Sequence, residues 1–407
     1  MTAPTLSVET AGNDVWDALV IGAGPAGAVA ARQLALAGGR VLLVEAKAFP
    51  RAKVCGACLN SRALAILGEL GLGEIPAALG GMPVEQFRVR SSGRDVPLAL
   101  PGGMAVSRSR FDSALVEAAI AAGADFLSET TGHLGTACGN SRDECRIVSL
   151  RSGGRAGVVA RARVVLAADG LGHASLRDHP EFSSRVSGDA HIGVGGQLTD
   201  FPAAYAAGTI FMAVGRHGYV GLVRIEAAQL NIAGALAPEF IKTCGGTAPA
   251  VEAVLSEAGF PPIGALSQAD WHGTVALTRS SARTAGRRVL LLGDAAGYVE
   301  PFTGEGMAWA LSAAAAVARL VPRGAFEWHA GLEREWQATL RRLVTNRQRL
   351  CRLLAMALRH PWAVRALLGA VSFAPALAGP IIRSVNRSPA TKRRSVDFSP
   401  RESSRVD

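Results

Sequence analysis

Apolar residues form two short runs near the start of the chain, and a helix-like stretch lies between them. The runs 17–21 and 41–44 predict strands that are buried on both faces. Small and aliphatic residues recur at 26, 30, 31, 34 and 36, which predicts a helix that Gly38 and Gly39 end. The order strand, turn, helix, strand predicts one unit of a doubly wound parallel sheet.

The rest of the chain contains further apolar runs of this kind and one long segment with a different pattern. Apolar runs at 163–168 and 288–292 predict two more buried strands. Residues 185–270 mix apolar, polar, glycine and aromatic positions, which predicts an antiparallel sheet. Helices are expected over 60–70, capped by Asn60, over 111–122, just after Arg108, and from 326 onward. The predicted fold class is α/β: a doubly wound sheet, an inserted antiparallel β-sheet and a C-terminal helical part.

The turn after the first strand carries chemistry, because Gly22, Gly24 and Gly27 have the spacing G-x-G-x-x-G. In such a turn the first glycine allows the tight bend, the second the approach of a pyrophosphate, and the third close packing of helix on sheet. Glu45 ends the second strand, where a carboxylate accepts hydrogen bonds from ribose hydroxyls. An acid at this position favours FAD or NAD over NADP.

Two later strands also end in an acid beside a glycine, at Asp169-Gly170 and at Gly293-Asp294. Gly304-x-Gly306 then opens a helix, which has free N–H groups and the positive end of its dipole at this point. Over roughly residues 15–325, these motifs resemble the FAD-dependent group of p-hydroxybenzoate hydroxylase-like monooxygenases, geranylgeranyl reductases and flavin-dependent halogenases.

The resemblance implies an FAD site that also includes a flavin-contacting arginine. The expected cofactor-binding residues are Gly22, Gly24, Pro25, Ala26, Gly27, Glu45, Ala46, Arg108, Asp169, Gly170, Gly293, Asp294, Gly304 and Gly306. FAD-binding parts are expected at 15–81, 105–182 and 271–325. Substrate-domain strands are expected at 82–104 and 183–270, C-terminal helices at 326–385, and a disordered basic tail at 386–407.

Two groups of side chains are candidates for catalysis. The stretch Lys53-Val54-Cys55-Gly56 resembles one that geranylgeranyl reductase-like members place near the isoalloxazine, so Cys55 would touch the flavin; an inert buried thiol is the alternative. His191, His217 and Tyr219 lie on the predicted substrate sheet and are acid–base candidates, with structural roles as the alternative. The aromatic strand motifs of the reductases and of the halogenases are both absent, which disfavours halogenation.

The first functional expectation is hydroxylation or oxidation of an apolar or aromatic small molecule, with O₂ as co-substrate. The alternative is reduction of a C=C bond in a prenyl or lipid substrate. A lycopene cyclase-like non-redox reaction and a non-catalytic FAD-binding role rank below these. There is no second G-x-G-x-x-G motif, which fits members of this group in which NAD(P)H is a transient electron donor, or in which another protein reduces the flavin.

Charge and cysteine usage refine the expected partners and compartment. The net charge is +10, and much of the excess lies between 341 and 405, which favours an anionic membrane over nucleic acid. Six cysteines without disulfide-like spacing predict a reducing cytosol, and a single Cys55-x-x-Cys58 argues against a metal site. Without a signal-peptide pattern or a long apolar span, a cytoplasmic protein, or one peripheral on the inner membrane face, is expected.

Overall fold

The computed structural model describes residues 2–139, 144–153, 157–300, 302, 304–322 and 328–386. Two large sheets and a set of C-terminal helices make up this part of the chain, which confirms the predicted fold class. Apart from Asn386, the predicted tail lies outside the described residues.

A sheet of eight strands forms the first layer. Its inner strands pair in parallel, with register partners such as Leu19 and Val165 in one pair and Val20 and Leu43 in the next. In sheet order the strands are Ala285–Gly286, Val289–Leu291, Val158–Ala167, Val15–Ile21, Val41–Val44 and Asp125–Leu127, and the hairpin strands Cys145–Ser152 and Thr130–Cys138 extend from Val158–Ala167.

The helix Pro25–Leu36 packs on this sheet through the third glycine of the motif. A Cβ atom on Gly27 would lie only 1.9 Å from the Gly22 carbonyl oxygen. Gly22 itself has φ +102°, a conformation that side-chain-bearing residues rarely adopt. The predicted reason for both glycines therefore matches the geometry, and the turn is held tightly against the sheet.

A sheet of seven strands forms the second layer, and it is antiparallel except for one pair. In sheet order the strands are His272–Ala276, Ile192–Leu198, Gln229–Leu236, Gly218–Ile225, Thr209–Gly215, Gln86–Ser91 and Arg94–Ala99, and the pair 209–215 with 86–91 is parallel. Two small sheets hold the rest: Ser184–Val186, Arg279–Ser281 and Gly297–Tyr298, and Cys58–Asn60, Gly103–Ala105 and Met82–Pro83.

The segment predicted as sheet over 185–270 also contains two helices, Pro238–Thr243 and Thr247–Glu257, so the prediction is wrong there. Val251 and Val254 of the second helix join a core with Val220 and Ile232 of the sheet. Their spacing of three residues gives the helix one apolar face, and that face covers the side of the sheet away from the first layer.

The other helices follow the sequence expectations closely. Asn60 caps its helix by accepting a hydrogen bond from the Ala63 N–H at 2.9 Å. Arg108 differs, because Ser107 is the cap and Arg108 lies in the first helical turn rather than before it. The remaining helix bounds are Val8–Gly12, Ser61–Glu69, Ile75–Ala78, Arg108–Ala121, Gly306–Val317, Ala330–Leu340, Arg341–Thr345 (a π-helix), Asn346–Leu358, Pro361–Phe373 and Gly379–Asn386.

Two further observations bear on the expected compartment. Cys138 and Cys145 form a disulfide in the hairpin beside the first sheet, so the expectation of unpaired cysteines is wrong. The pairing of the two hairpin strands brings the cysteines together, which sequence spacing did not indicate. Within the described ranges no helix alone has the length and composition to cross a bilayer; Pro361–Phe373 and Pro375–Asn386 satisfy that test only together, with a bend of 118°.

Candidate functional site

One cavity of about 870 Å³ lies where the two sheets and the C-terminal helices meet. Three distant segments converge at its polar end. A Cβ on Gly293 would stand 3.0 Å from the Ala26 Cβ, and Gly22 approaches the backbone of Ala168 and Asp169. The ends of the strands 15–21, 158–167 and 289–291 therefore open into the same space, as is usual for ligand sites in α/β sheets.

A chain of charged groups runs along the glycine turn. Glu45 accepts hydrogen bonds from the N–H groups of Ala23, at 3.0 Å, and Lys47, at 3.1 Å. Its carboxylate lies 3.4 Å from the guanidinium of Arg51, which lies 3.4 Å from Asp112. Glu45 is thereby fixed at the strand end, where sequence analysis expected it.

Asp112 is fully buried and receives a bidentate pair of hydrogen bonds from Arg108, at 2.7 and 2.8 Å. Although burial lowers the pKa of Arg108, Asp112 more than offsets this effect and keeps the pKa above its ordinary value. Arg51 and Arg108 also face the glycine turn: their Nη2 atoms lie 3.6 and 3.9 Å from the point where a Cβ on Gly24 would stand. Two guanidinium groups and the start of the helix Pro25–Leu36 thus surround a space suited to a pyrophosphate.

The residues at this end of the cavity fit FAD, because there is space beside Gly24 and charged groups surround that space. Asp294 follows Gly293 at a strand end in the same part of the cavity, and burial raises its pKa while Lys53 and Arg108 oppose that rise. Gly304 and Gly306 lie at the start of the helix Gly306–Val317, whose first N–H groups lack a side-chain cap. These groups would face the ring system and the ribityl chain of a bound flavin.

Cys55 also lies in the cavity wall. Its side chain lies near Arg108, and its carbonyl oxygen accepts a hydrogen bond from the Asn231 amide at 2.9 Å. Cys58 also lines the cavity and donates to the Gly56 carbonyl at 3.1 Å, and burial raises its pKa. Cys55 therefore combines polar neighbours at the cavity with packing against the hydrophobic core of the first layer.

Aromatic side chains mark the boundary between the polar end and an apolar part. Phe302 packs edge-to-face on Phe87 and on Tyr219, with ring centroids 5.8 and 5.2 Å apart. Burial raises the pKa of Tyr219 and of Tyr298 well above the ordinary value, and the nearby Glu300 adds to both shifts. Both hydroxyls therefore keep their protons at neutral pH.

Glu300 is buried near these tyrosines, and two basic side chains lie beside its carboxylate. Its carboxylate lies 3.3 Å from His191 Nδ1 and 3.3 Å from Arg359 Nη2. Arg359 also pairs with Asp189. The C-terminal helices are thereby tied to the wall of the cavity.

The structure brings most of the predicted site residues together. Thirteen of the fourteen cofactor candidates line the cavity, as do Cys55 and Tyr219, and Gly27 lies behind the wall, where it lets the helix approach the sheet. His217 does not reach the cavity: its exposed ring stacks on Phe240, with centroids 4.5 Å apart. His191 lies behind the tyrosines as the partner of Glu300 and not in the cavity wall.

Sequence reasoning missed four residues of this site: Arg51, Lys53, Asp112 and Tyr298. Arg51 and Lys53 lie in the loop that contains the stretch Lys53-Val54-Cys55-Gly56, which the resemblance places near the flavin. Their charge could therefore have indicated a role in the site. Asp112 stands four residues after Arg108, a helical ion-pair spacing that also could have been read. Tyr298 follows a strand end by a few residues and carries no such signal.

The FAD binding domain family matches residues 15–204 of this chain. Among curated proteins the chain is 26% identical over 362 residues to Conditioned medium factor receptor 1 of Dictyostelium discoideum, covering 76% of this chain and 63% of that protein. It is 38% identical over 121 residues to Menaquinone reductase of Mycobacterium tuberculosis, covering 28% of this chain and 29% of that protein. These matches span less than two thirds of either relative.

Digeranylgeranylglycerophospholipid reductase 2 of Methanopyrus kandleri is 29% identical over 324 residues, covering 72% of this chain and 73% of that protein. Two solved structures share the fold. A flavoprotein/dehydrogenase from Cytophaga hutchinsonii has a TM-score of 0.75 at 18% identity, with 92% and 93% of the two chains covered. A geranylgeranyl bacteriochlorophyll reductase-like protein from Thermoplasma acidophilum has a TM-score of 0.71 at 18% identity, with 88% of this chain and 92% of that chain covered. The predicted family resemblance and FAD as cofactor are confirmed.

Proposed function

We propose that this chain, an FAD-dependent oxidoreductase, reduces a carbon–carbon double bond in a long apolar molecule of the prenyl or lipid class. The observation that carries the proposal is the apolar part of the cavity. It starts at Tyr219 and Phe302 and continues between the seven-stranded sheet and the C-terminal helices. Its walls include Leu98, Met212, Leu358, Leu367, Val371 and Ile382.

The apolar composition of this wall supports a chain-like apolar substrate rather than a small polar one. Apolar side chains from the sheet and from three helices form one cluster that includes both Tyr298 and Phe302. An apolar chain placed there would gain roughly 25 cal/mol for each Å² removed from water, with no polar partner to satisfy. One end of such a chain would lie beside Cys55 and Asp294.

Two relatives support the reductive direction, since both are reductases and one acts on a digeranylgeranyl phospholipid by its name. When bound, FAD supplies the hydride that reduction of a C=C bond requires. The second component is a proton, and Tyr219 and Tyr298 are protonated hydroxyl groups in the cavity wall. The apolar surroundings exclude water, which would compete for the hydride or for the proton. NAD(P)H is the proposed source of electrons.

The test is anaerobic turnover of the purified, FAD-loaded protein. NADPH, NADH or dithionite would serve as donor, with menaquinone or a geranylgeranyl-chain lipid as substrate. We expect bleaching of the flavin and a product heavier by two hydrogen atoms per reduced bond, detected by mass spectrometry. Reduced flavin that never transfers its electrons to either substrate without oxygen would contradict the proposal.

Cys55 offers a matched pair of variants for this assay. Cys55→Ala should keep FAD and lose most turnover, because its thiol lies in the cavity beside Arg108. Cys244→Ala removes a half-buried thiol that packs against the outer core and should behave like the wild type. Equal turnover in both variants would return Cys55 to a packing role.

Monooxygenation of an aromatic molecule is the second candidate, and the aromatic wall favours it. Phe87, Tyr219 and Phe302 already pack edge-to-face, and an aromatic substrate could extend this arrangement. This activity would consume one O₂ per product and place one of its oxygen atoms in the product. Oxygen uptake coupled to ¹⁸O incorporation would favour it over reduction.

A further inference from the structure

We propose that the outer face of the C-terminal helices docks on an anionic lipid bilayer, and that the cavity opens to the bilayer between Pro361–Phe373 and Gly379–Asn386. The docking surface is formed by the side chains of Leu353, Met356, Trp362, Phe373 and Leu377. The route of entry rests on the proposed function for its substrate, whereas the docking itself does not.

The first evidence is the concentration of exposed apolar side chains. Leu353, Met356, Trp362, Phe373 and Leu377 are 60%, 50%, 68%, 93% and 57% exposed. Five of the ten large apolar side chains that are exposed in the described part of the chain thus fall within residues 353–377. Such clustering is the mark of an interaction surface rather than of scattered surface residues.

The helix Pro361–Phe373 is apolar on both of its faces. Val364, Leu367 and Leu368 line the cavity, while Trp362 and Phe373 are exposed. Trp362 and Phe373 are eleven residues apart, about three helical turns, and so project on the same side of the helix. A helix with apolar residues on both sides is ordinarily covered on both, and within the described part of the chain only the cavity side is covered.

The docking surface and the cavity meet at shared residues. Leu377 lines the cavity and is also 57% exposed, and Ala370 is exposed and lines it as well. Both lie where the helix Pro361–Phe373 turns into Gly379–Asn386, a bend of 118°. An apolar molecule could therefore pass from a bilayer into the cavity without crossing water.

The positive charge of the C-terminal helices indicates what kind of surface they bind. Residues 341–386 contain eight arginines and no Asp, Glu or Lys. Arg349, Arg365 and Arg383 are exposed on the same helices as the apolar patch. Aromatic and aliphatic side chains bordered by arginine suit the interface of an anionic membrane, where the apolar groups enter the acyl region and the guanidinium groups meet phosphates.

The docking is tested by sedimentation of the FAD-loaded protein with vesicles of phosphatidylcholine and phosphatidylglycerol. We expect binding that weakens with salt and with removal of phosphatidylglycerol. The double variant Trp362→Ala, Phe373→Ala should bind at least about tenfold more weakly, because two large apolar side chains no longer enter the bilayer. Leu36→Ala is the matched control: Leu36 is 57% exposed on a distant helix, and its loss should change nothing.

A second readout identifies the contact itself. Brominated lipids should quench the fluorescence of the wild type more than that of Trp362→Phe. Equal quenching, or equal vesicle binding by the double variant and the wild type, would overturn the proposal. A lipid-free dimer that dissociates in the double variant would also overturn it, since the face would then bind a second copy.

The opening is tested separately with Ala370→Trp, which would narrow the proposed mouth. This variant should keep FAD and vesicle binding, and should raise KM for a vesicle-borne prenyl lipid more than it lowers kcat. Unchanged KM would overturn the entry route. If no lipid is turned over by any variant, the proposed function fails while the vesicle and quenching results still decide the docking.

Discussion

Arg108 shows how neighbours decide what a residue can do. In the sequence it is an arginine that the family resemblance places against the flavin. In the structure it forms an ion pair, but with a fully buried carboxylate, Asp112, that aims its guanidinium at the cavity. Holding a cation in place this way lowers the entropy it must lose when an anionic group binds.

Asp294 provides a prediction about pH. Burial raises the pKa of its native carboxyl above the ordinary 3.8, so the native state keeps the proton over a range in which the unfolded chain has released it. The contribution of this group to stability is therefore present below that ordinary value and is lost as pH rises through the native pKa. FAD-free Asp294→Asn should lose less stability than the wild type between pH ~4 and ~7.

Urea unfolding of the FAD-free proteins at several pH values measures this difference. Asp200→Asn is the control and should leave the pH profile unchanged, since Asp200 is exposed and makes no ion pair within the described part of the chain. Parallel profiles for wild type and Asp294→Asn would show that the native pKa is not raised. In the FAD-loaded protein, Asp294→Asn should also weaken retention of the cofactor.

At the scale of elements, the contact between the helix Pro25–Leu36 and the first sheet depends on a missing side chain. Gly27→Ala should shift the helix, because the added Cβ would stand 1.9 Å from a backbone oxygen that cannot move cheaply. We expect a loss of about 1–3 kcal/mol in stability and poor FAD retention. Absorbance of the purified protein and urea unfolding measure both.

Gly68→Ala is the matched control for this change. Gly68 lies in the helix Ser61–Glu69, and a Cβ there would meet nothing within 4 Å. Its replacement should raise stability by up to about 1 kcal/mol through helix propensity. If Gly27→Ala also loaded FAD fully, the helix would have another way to approach the sheet.

The C-terminal helices depend on a buried carboxylate for their attachment. Arg359→Gln should cost about 2 kcal/mol, because Glu300 is 1% exposed and would lose the guanidinium beside its carboxylate. The loss should appear as faster hydrogen exchange over residues 346–386. The double variant Arg359→Gln, Glu300→Gln should recover part of it, and Arg365→Gln, on an exposed position of the next helix, should have little effect.

At the scale of the whole molecule, both sheets and the C-terminal helices contribute walls to one cavity. Ligand bound there should stabilise all of these parts together. Free FAD at about 100 times its Kd should add about 2.7 kcal/mol to the unfolding free energy and raise Tm in a single transition. A thermal scan with two transitions, of which FAD shifts only one, would show that the substrate sheet and helices unfold independently of the cofactor.

Much of the fold and of the cofactor end was predictable because the signals are local. A positive φ at Gly22, the helix cap at Asn60 and the buried runs at 17–21 and 41–44 each depend on a few neighbouring residues. The helix Thr247–Glu257 was not predicted. Its apolar face is apparent only once the sheet that it covers has formed, and short apolar runs suit both kinds of structure.

By itself, the sequence determined where the strands end and which of those ends carry an acid and a glycine, since backbone conformation and strand burial are set over short stretches. Only the tertiary structure decided that Arg51 and Asp112 meet beside the glycine turn, that His217 points away, and that residues more than 150 positions apart enclose an apolar cavity with Tyr298 at its boundary. These relations depend on how separate layers pack, and packing couples all of the contacts at once.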